Sequence, residues 1–147
     1  MSWAKYSGYH FATKVGLPPG AYVTTDGNGS AIDRLTYAHL LTTLNIVVNS
    51  GTLPTLDVKI QDSANGSTGW ADFVPSVIYA NGDQTVTTAK FPQVTTDGIS
   101  KMDVDLGNAK RYIRFVKLLG GSSPQIYLSC AVLLDQRDSS DQPGALA

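Results

Sequence analysis

The chain has 147 residues, a formal net charge of -1 and a charged fraction of 16%, against about 25% in an average soluble domain. That length suits one domain that buries roughly 70% of its unfolded surface, and the scattered Lys and Arg exclude the basic stripe of a direct nucleic-acid binder. Its one cysteine, Cys130, excludes an internal disulfide framework and a multi-cysteine zinc site.

The N-terminal MSWAKYSGYHFATK lacks the apolar run of a signal peptide, and no window approaches the ~18 apolar residues of a membrane span. The expectation is a protein made and folded in a cytoplasm, with no membrane partner. The Asn-Gly-Ser triplets at Asn28 and Asn65 then read as turns rather than glycosylation sites. All 12 acidic residues are aspartate. Glutamate favours helices, whereas Asp, Asn, Ser and Gly favour turns and Thr and Val favour strands, so the composition is that of a β protein.

Residues 1–20 are punctuated by glycine and rich in rings, with Trp3, Tyr6, Tyr9 and Phe11 before Pro18-Pro19-Gly20. This segment is expected to be an arm that packs on its own domain or reaches a neighbouring subunit, the bland alternative being an edge strand. Ala21 to Thr25 reads as a short strand and Asp26-Gly27-Asn28-Gly29 as a turn. Its Gly-x-Gly is not a dinucleotide fingerprint, because the third glycine and the βαβ setting are missing.

Tyr37 to Asn49 (YAHLLTTLNIVVN) reads as a long strand, since its β-branched Thr and Val residues resist a helix. Leu56, Val58 and Ile60 alternate with Asp57, Lys59 and Gln61, the period of a half-buried antiparallel strand. Met102, Val104 and Leu106 alternate likewise with Asp103 and Asp105. RYIRFVKL, from Arg111 to Leu118, and IYLSCAVLL, from Ile126 to Leu134, are apolar on both faces. They belong in the middle of a sheet, or have one face covered by another subunit. Weaker strands are expected near Phe73 to Tyr79 and Thr85 to Phe91, kept to edges or bulges by Pro75 and Pro92. The tail ending RDSSDQPGALA is polar and expected to be flexible. The sum is an all-β chain: an antiparallel β-sandwich of jelly-roll type with about eight strands over residues 21–135, an arm over 1–20 and a tail over 136–147.

Candidate chemistry is thin. His10 and His39 fall in different segments without metal-ligand spacing. Cys130 shares a strand face with Leu128 and Val132, which makes it a small buried hydrophobe rather than a nucleophile. Asp62, Asn65 and Asp72 surround the loop in LDVKIQDSANGSTGWADF and offer hard oxygen ligands for calcium, but without DxDxDG spacing they serve turns better. Asp103 and Asp105 form an exposed carboxylate pair suited to acid and base work only in a pocket that shifts their pKa values; otherwise they promote solubility. No catalytic residue, cofactor or metal ligand is assigned.

The run AIDRLTY, LNIVVNSG and LDVKIQDSANGSTGWADF, followed by KRYIRFVKLLGG and IYLSCAVLL, resembles the jelly-roll capsid decoration, or cement, proteins of tailed bacteriophages. The resemblance covers most of residues 30–135. It implies a non-enzymatic virion structural protein on the capsid exterior, partnered by the major capsid protein of a phage head and by itself as a homotrimer or homodimer. Trp3, Tyr6, Tyr9 and Phe11 would then form an interface arm. A second resemblance, to discoidin-type and other galactose-binding-like sandwiches, implies instead a carbohydrate-binding module of a phage fibre or adhesin. Its site would be the loop carrying Asp62, Asn65, Trp70 and Asp72, with Trp70 stacked on a sugar. Trp70, just past the hairpin turn, is expected to be mostly buried, which speaks against the second reading.

Overall fold

The computed structural model describes residues 11–81 and 87–136. Among them there is no helix, and eight strands join in one unclosed antiparallel sheet: β1 (Phe11–Leu17), β2 (Gly27–Asn28), β3 (Ile32–Asp33), β4 (Tyr37–Ser63), β5 (Ala71–Asp72), β6 (Ile78–Ala80), β7 (Gly98–Asp105) and β8 (Tyr112–Gln136). The all-β antiparallel architecture and the strand number match the sequence-based expectation. The way the strands are built does not follow from local pattern.

The two stretches expected as separate strands, Tyr37 to Asn49 and Leu56 to Gln61, are parts of one 27-residue strand. RYIRFVKL and IYLSCAVLL are likewise parts of the 25-residue β8. Typical strands run only about 5–6 residues. β4 and β8 pair along their whole length, from Tyr37 opposite Gln136 to Ser63 opposite Tyr112. Register shifts between Val48 and Thr55 of β4 break the ladder into two leaves. The first leaf holds the start of β4 and the end of β8, flanked by β1 on one side and by β7 and β6 on the other. The second holds the remaining halves, edged by β2 and β3 on β8 and by β5 on β4.

The bend between the leaves is made by residues with positive φ: Gly51 (φ 125) and Leu53 (φ 48) in β4, Gly121 (φ 92) and Ser123 (φ 49) in β8. Such angles are uncommon for side-chain-bearing residues, and bulges of this kind kink and twist a strand. Gly121 is required on two counts, since a Cβ there would run into the carbonyl oxygen of Leu53 and lie 2.8 Å from that of Thr52.

Folding over at this hinge brings the inner faces together. Leu40, Leu44 and Ile46 of the first leaf share one hydrophobic core with Leu56, Val58, Ile60, Ile113 and Phe115 of the second. A Cβ on Gly16 of β1 would lie 2.7 Å from the Phe115 ring and 3.1 Å from the Cys130 sulfur, so the leaves are in contact there. Each large side chain buried in this way contributes about 1.5–3 kcal/mol. Alternation holds in both leaves, with Leu56, Val58, Ile60, Met102, Val104 and Leu106 all buried.

Several local expectations are corrected by tertiary pairing. Gly27 and Asn28, expected in a turn, form β2 opposite Lys117 and Val116; Asp26 accepts a hydrogen bond from the Leu119 amide at 2.7 Å and the Gly29 amide donates to the Phe115 carbonyl at 2.7 Å. Ala21 to Thr25 reduces to one bridge between Val23 and Ile126. In place of a strand from Phe73 to Tyr79 there are the short β5 and β6, on either side of Pro75. Residues 82–86 lie outside the described residues. Ala89, Phe91 and Val94 hydrogen-bond to Ile60, Val58 and Leu56, so this segment lines the edge of β4 around Pro92.

Gly121→Val is expected to lower the unfolding free energy by about 2 kcal/mol or more, through strain and steric conflict at the hinge. Gly20→Ala, where a Cβ meets nothing within 4 Å, is expected to change it by less than about 0.5 kcal/mol. Urea denaturation of both variants measures the contrast.

Candidate functional site

The hairpin after β4 is held by its own side chains. Asn65 Oδ1 accepts from the amides of Ser67 at 3.0 Å and Thr68 at 2.9 Å, and its Nδ2 donates to Thr68 Oγ1 at 2.9 Å. Gly66 has φ 75, and a Cβ there would meet the Tyr112 ring at 2.9 Å, so the Asn-Gly pair is what this turn requires. Asp62 is buried, accepting from the Lys110 amide at 3.0 Å and lying 3.4 Å from its ammonium. It ties the hairpin to the turn before β8.

Trp70 and Asp72 lie on the outer face of the second leaf in a linear network. The Arg114 guanidinium sits 4.4 Å from the centre of the Trp70 ring. It also donates to Gln61 Oε1 at 2.8 and 3.1 Å. Gln61 Nε2 donates to Asp72 Oδ1 at 2.9 Å, and Lys59 Nζ to Asp72 Oδ2 at 2.7 Å. Trp70 is largely buried, yet it stacks on a cation near the surface instead of joining the core. A cation over an indole contributes about 0.5–1 kcal/mol at such a site. Sequence reading singled out Trp70 and Asp72 but not Lys59, Gln61 and Arg114. Their period-two placement on the outer face was the available signal.

Of the four loop candidates only Trp70 and Asp72 share a network. Asp62 points to Lys110, Asn65 to its own turn and Asp72 to Lys59. Among the described residues, no three His, Cys, Asp or Glu side chains form a group that could hold a metal. His39 is exposed on β4 between Asp105 and Asp135. Asp105 accepts from Ser76 Oγ at 3.0 Å and from the Gly107 amide at 2.7 Å. Cys130 is buried, and burial pushes its thiol up to about 11 despite the Thr42 hydroxyl 3.1 Å away; such a thiol is a poor nucleophile. Of the proposed arm, Trp3, Tyr6 and Tyr9 lie outside the described residues, and Phe11 opens β1 opposite Asp135.

The outer face of the first leaf has a different character. Val15 on β1, Leu41 and Val47 on β4, Ile99 on β7, Tyr79 on β6 and Tyr127 on β8 are 56, 43, 51, 74, 41 and 40% exposed. They share a broad five-strand surface with Lys101 and Asp103. The two-faced apolarity of IYLSCAVLL was its sequence signal. Two open hollows, of about 230 Å³ beside Ile46, Thr96 and Ile99 and about 220 Å³ beside Pro19, Val47 and Tyr127, are smaller than the roughly 300–1,000 Å³ of small-molecule sites.

No protein-family model and no curated protein matches the chain. Among solved structures it is similar to the SPBc2 prophage-derived protein YomS, with 10% identity, a TM-score of 0.52, and 84% of this chain and 91% of that chain covered. A structure described as Bacillus endospore appendages, a novel family of disulfide-linked pili, aligns with 14% identity over 88% of this chain and 90% of that chain, at a TM-score of 0.44. The first likeness shows a shared fold; the second is too loose to carry an argument.

Two surface carboxylates set an acid limit on stability. Hydrogen bonds from Lys59 and then Gln61 lower the Asp72 pKa, and the Arg111 guanidinium, 2.8 Å away, lowers that of Asp33. Because the folded values lie below the unfolded value of about 3.9, their stabilisation is present above that pH and lost as the pH falls through the folded values. The melting temperature is expected to fall as the pH is lowered from about 5 to about 2.5, and to fall less in the Asp33→Asn/Asp72→Asn double variant. Thermal melts across that range provide the check.

Proposed function

We propose that this chain is a structural protein of a tailed-phage particle, which self-associates, lies on the exterior of the head and clamps neighbouring major capsid subunits without catalysis. The observation that carries this reading is the exposed apolar outer face of the first leaf, a broad surface built on five paired strands. Contiguous apolar surface on one face of a soluble domain marks a protein contact, here the self-association through which paired copies clamp the shell. The hollows are too small and open to favour a small-molecule substrate, and the fold is shared with a prophage-derived protein. A protein that binds only the assembled shell stabilises it by mass action, in proportion to its binding free energy.

The purified chain is expected to co-sediment with intact heads from its source and to raise their heat resistance, with Leu41→Asp weakening both effects. No binding to any shell overturns the reading.

The second reading, a carbohydrate-binding module, draws on one observation: Trp70 keeps part of its surface accessible, next to the network of Gln61 and Asp72. Against it, Arg114 stacks on the indole, and Arg114, Gln61 and Asp72 satisfy one another. Added mono- and oligosaccharides are expected to leave Trp70 fluorescence unchanged relative to a Trp70→Phe control. A saturable, Trp70-dependent change would favour the sugar-binding reading.

A further inference from the structure

Two adjacent rows of side chains cross the outer face of the first leaf. Strand register defines both. One row is Thr13, Leu133, Leu41, Asp103 and Tyr79, each opposite the next on β1, β8, β4, β7 and β6. The neighbouring row is Val15, Ala131, Thr43 and Lys101. On β8, β4 and β7 the first row places Leu133, Leu41 and Asp103 where the second places Ala131, Thr43 and Lys101. Lys101 and Asp103 are both exposed, and neither forms an ion pair with another described residue.

We infer that this face is a two-fold interface with a second copy of the chain, in which each row packs against the other row of its partner. A two-fold axis lying between the facing sheets, running across the strands and between the two rows, keeps each strand over its own counterpart and exchanges the rows. Leu41 of one copy then lies over Thr43 of the other, Leu133 over Ala131, and Asp103 over Lys101. Every contact occurs twice, as an isologous interface requires. Facing sheets pack about 10 Å apart, with inner side chains interdigitating, and alternation of large with small is what that spacing accommodates. In the next rows out Asn45 falls over His39 and Ser129 over Asp135, while Ile99 falls over Asp105 at the margin of the contact.

A random surface row has no reason to complement its neighbour in both size and charge, and a heterologous partner needs no such internal match. The occupant is therefore a second copy. The inference deepens the assembly reading and rests on it for its biological setting, but the dimer requires no shell and is tested without one.

The experiment is sedimentation equilibrium of the full chain and of three variants: Lys101→Asp, Asp103→Lys and the double exchange. Wild type is expected to be a dimer. Each single reversal sets like charges against each other at both symmetry-related contacts. At about tenfold per contact, it is expected to weaken association roughly a hundredfold. The double exchange restores opposite charges across the axis and is expected to recover the dimer, which also shows that loss in the single variants is not misfolding. A monomeric wild type overturns the inference, as does failure of the double exchange to recover association. An oligomer indifferent to all three variants overturns this interface while leaving assembly through another surface standing. Head binding by a monomeric wild type would leave the virion reading standing without the dimer.

Discussion

The fold depends on one pairing, β4 against β8, carried on both sides of a bend. The register moves by one residue across that bend. Even-numbered residues of β4 lie opposite even-numbered residues of β8 in the first leaf and odd-numbered ones in the second. Because side chains alternate with a period of two, a one-residue step exchanges the faces of a strand. Here it lets Ile113 and Phe115 point into the same core as Ile126, Cys130 and Leu134. The positive-φ residues Gly51, Leu53, Gly121 and Ser123 all lie within the stretch where this step occurs.

The other elements are attached to that frame. β1 adds to the end of β8 and β7 to the start of β4, while β2, β3 and β5 are too short to persist alone and exist as additions to edges already in place. Arg34 clips the turn before β8 through the carbonyls of Ala109 and Lys110, and Asp62 holds the same turn from the other side. Buried Asp62 is thus explained by architecture, as a satisfied charge.

The two outer faces are chemically unlike. On the second leaf, Lys59, Asp72, Gln61, Arg114 and Trp70 use their polar and cationic groups on one another. Each contact is individually weak at a solvent-facing site, but together they form a surface with little unmet demand for a partner. On the first leaf, apolar side chains alternate with Lys101 and Asp103, neither of which forms an ion pair with another described residue. A protein that needed only solubility would not place Leu41, Tyr79 and Ile99 there. The contrast is the physical basis for reading one face as a finished surface and the other as a contact.

The amino-acid sequence by itself determined the all-β class, the inward residues of each strand and the Asn-Gly hairpin, because these depend on alternation and local backbone preference. The two-faced apolarity of IYLSCAVLL also signalled the apolar side chains on the outer face of the first leaf. Local pattern did not show that Asn49 to Pro54 continues a strand, since its Ser, Gly and Pro are equally the residues of a turn. Nor could it place Gly27 and Asn28 in a strand: their pairing partners lie about ninety residues away. Trp70 stacks on Arg114 rather than entering the core because the two residues meet only when β4 and β8 pair. Which exposed side chains share a row, and so which could face a second copy, was decided by register, a property of pairs of strands that no single stretch of sequence contains.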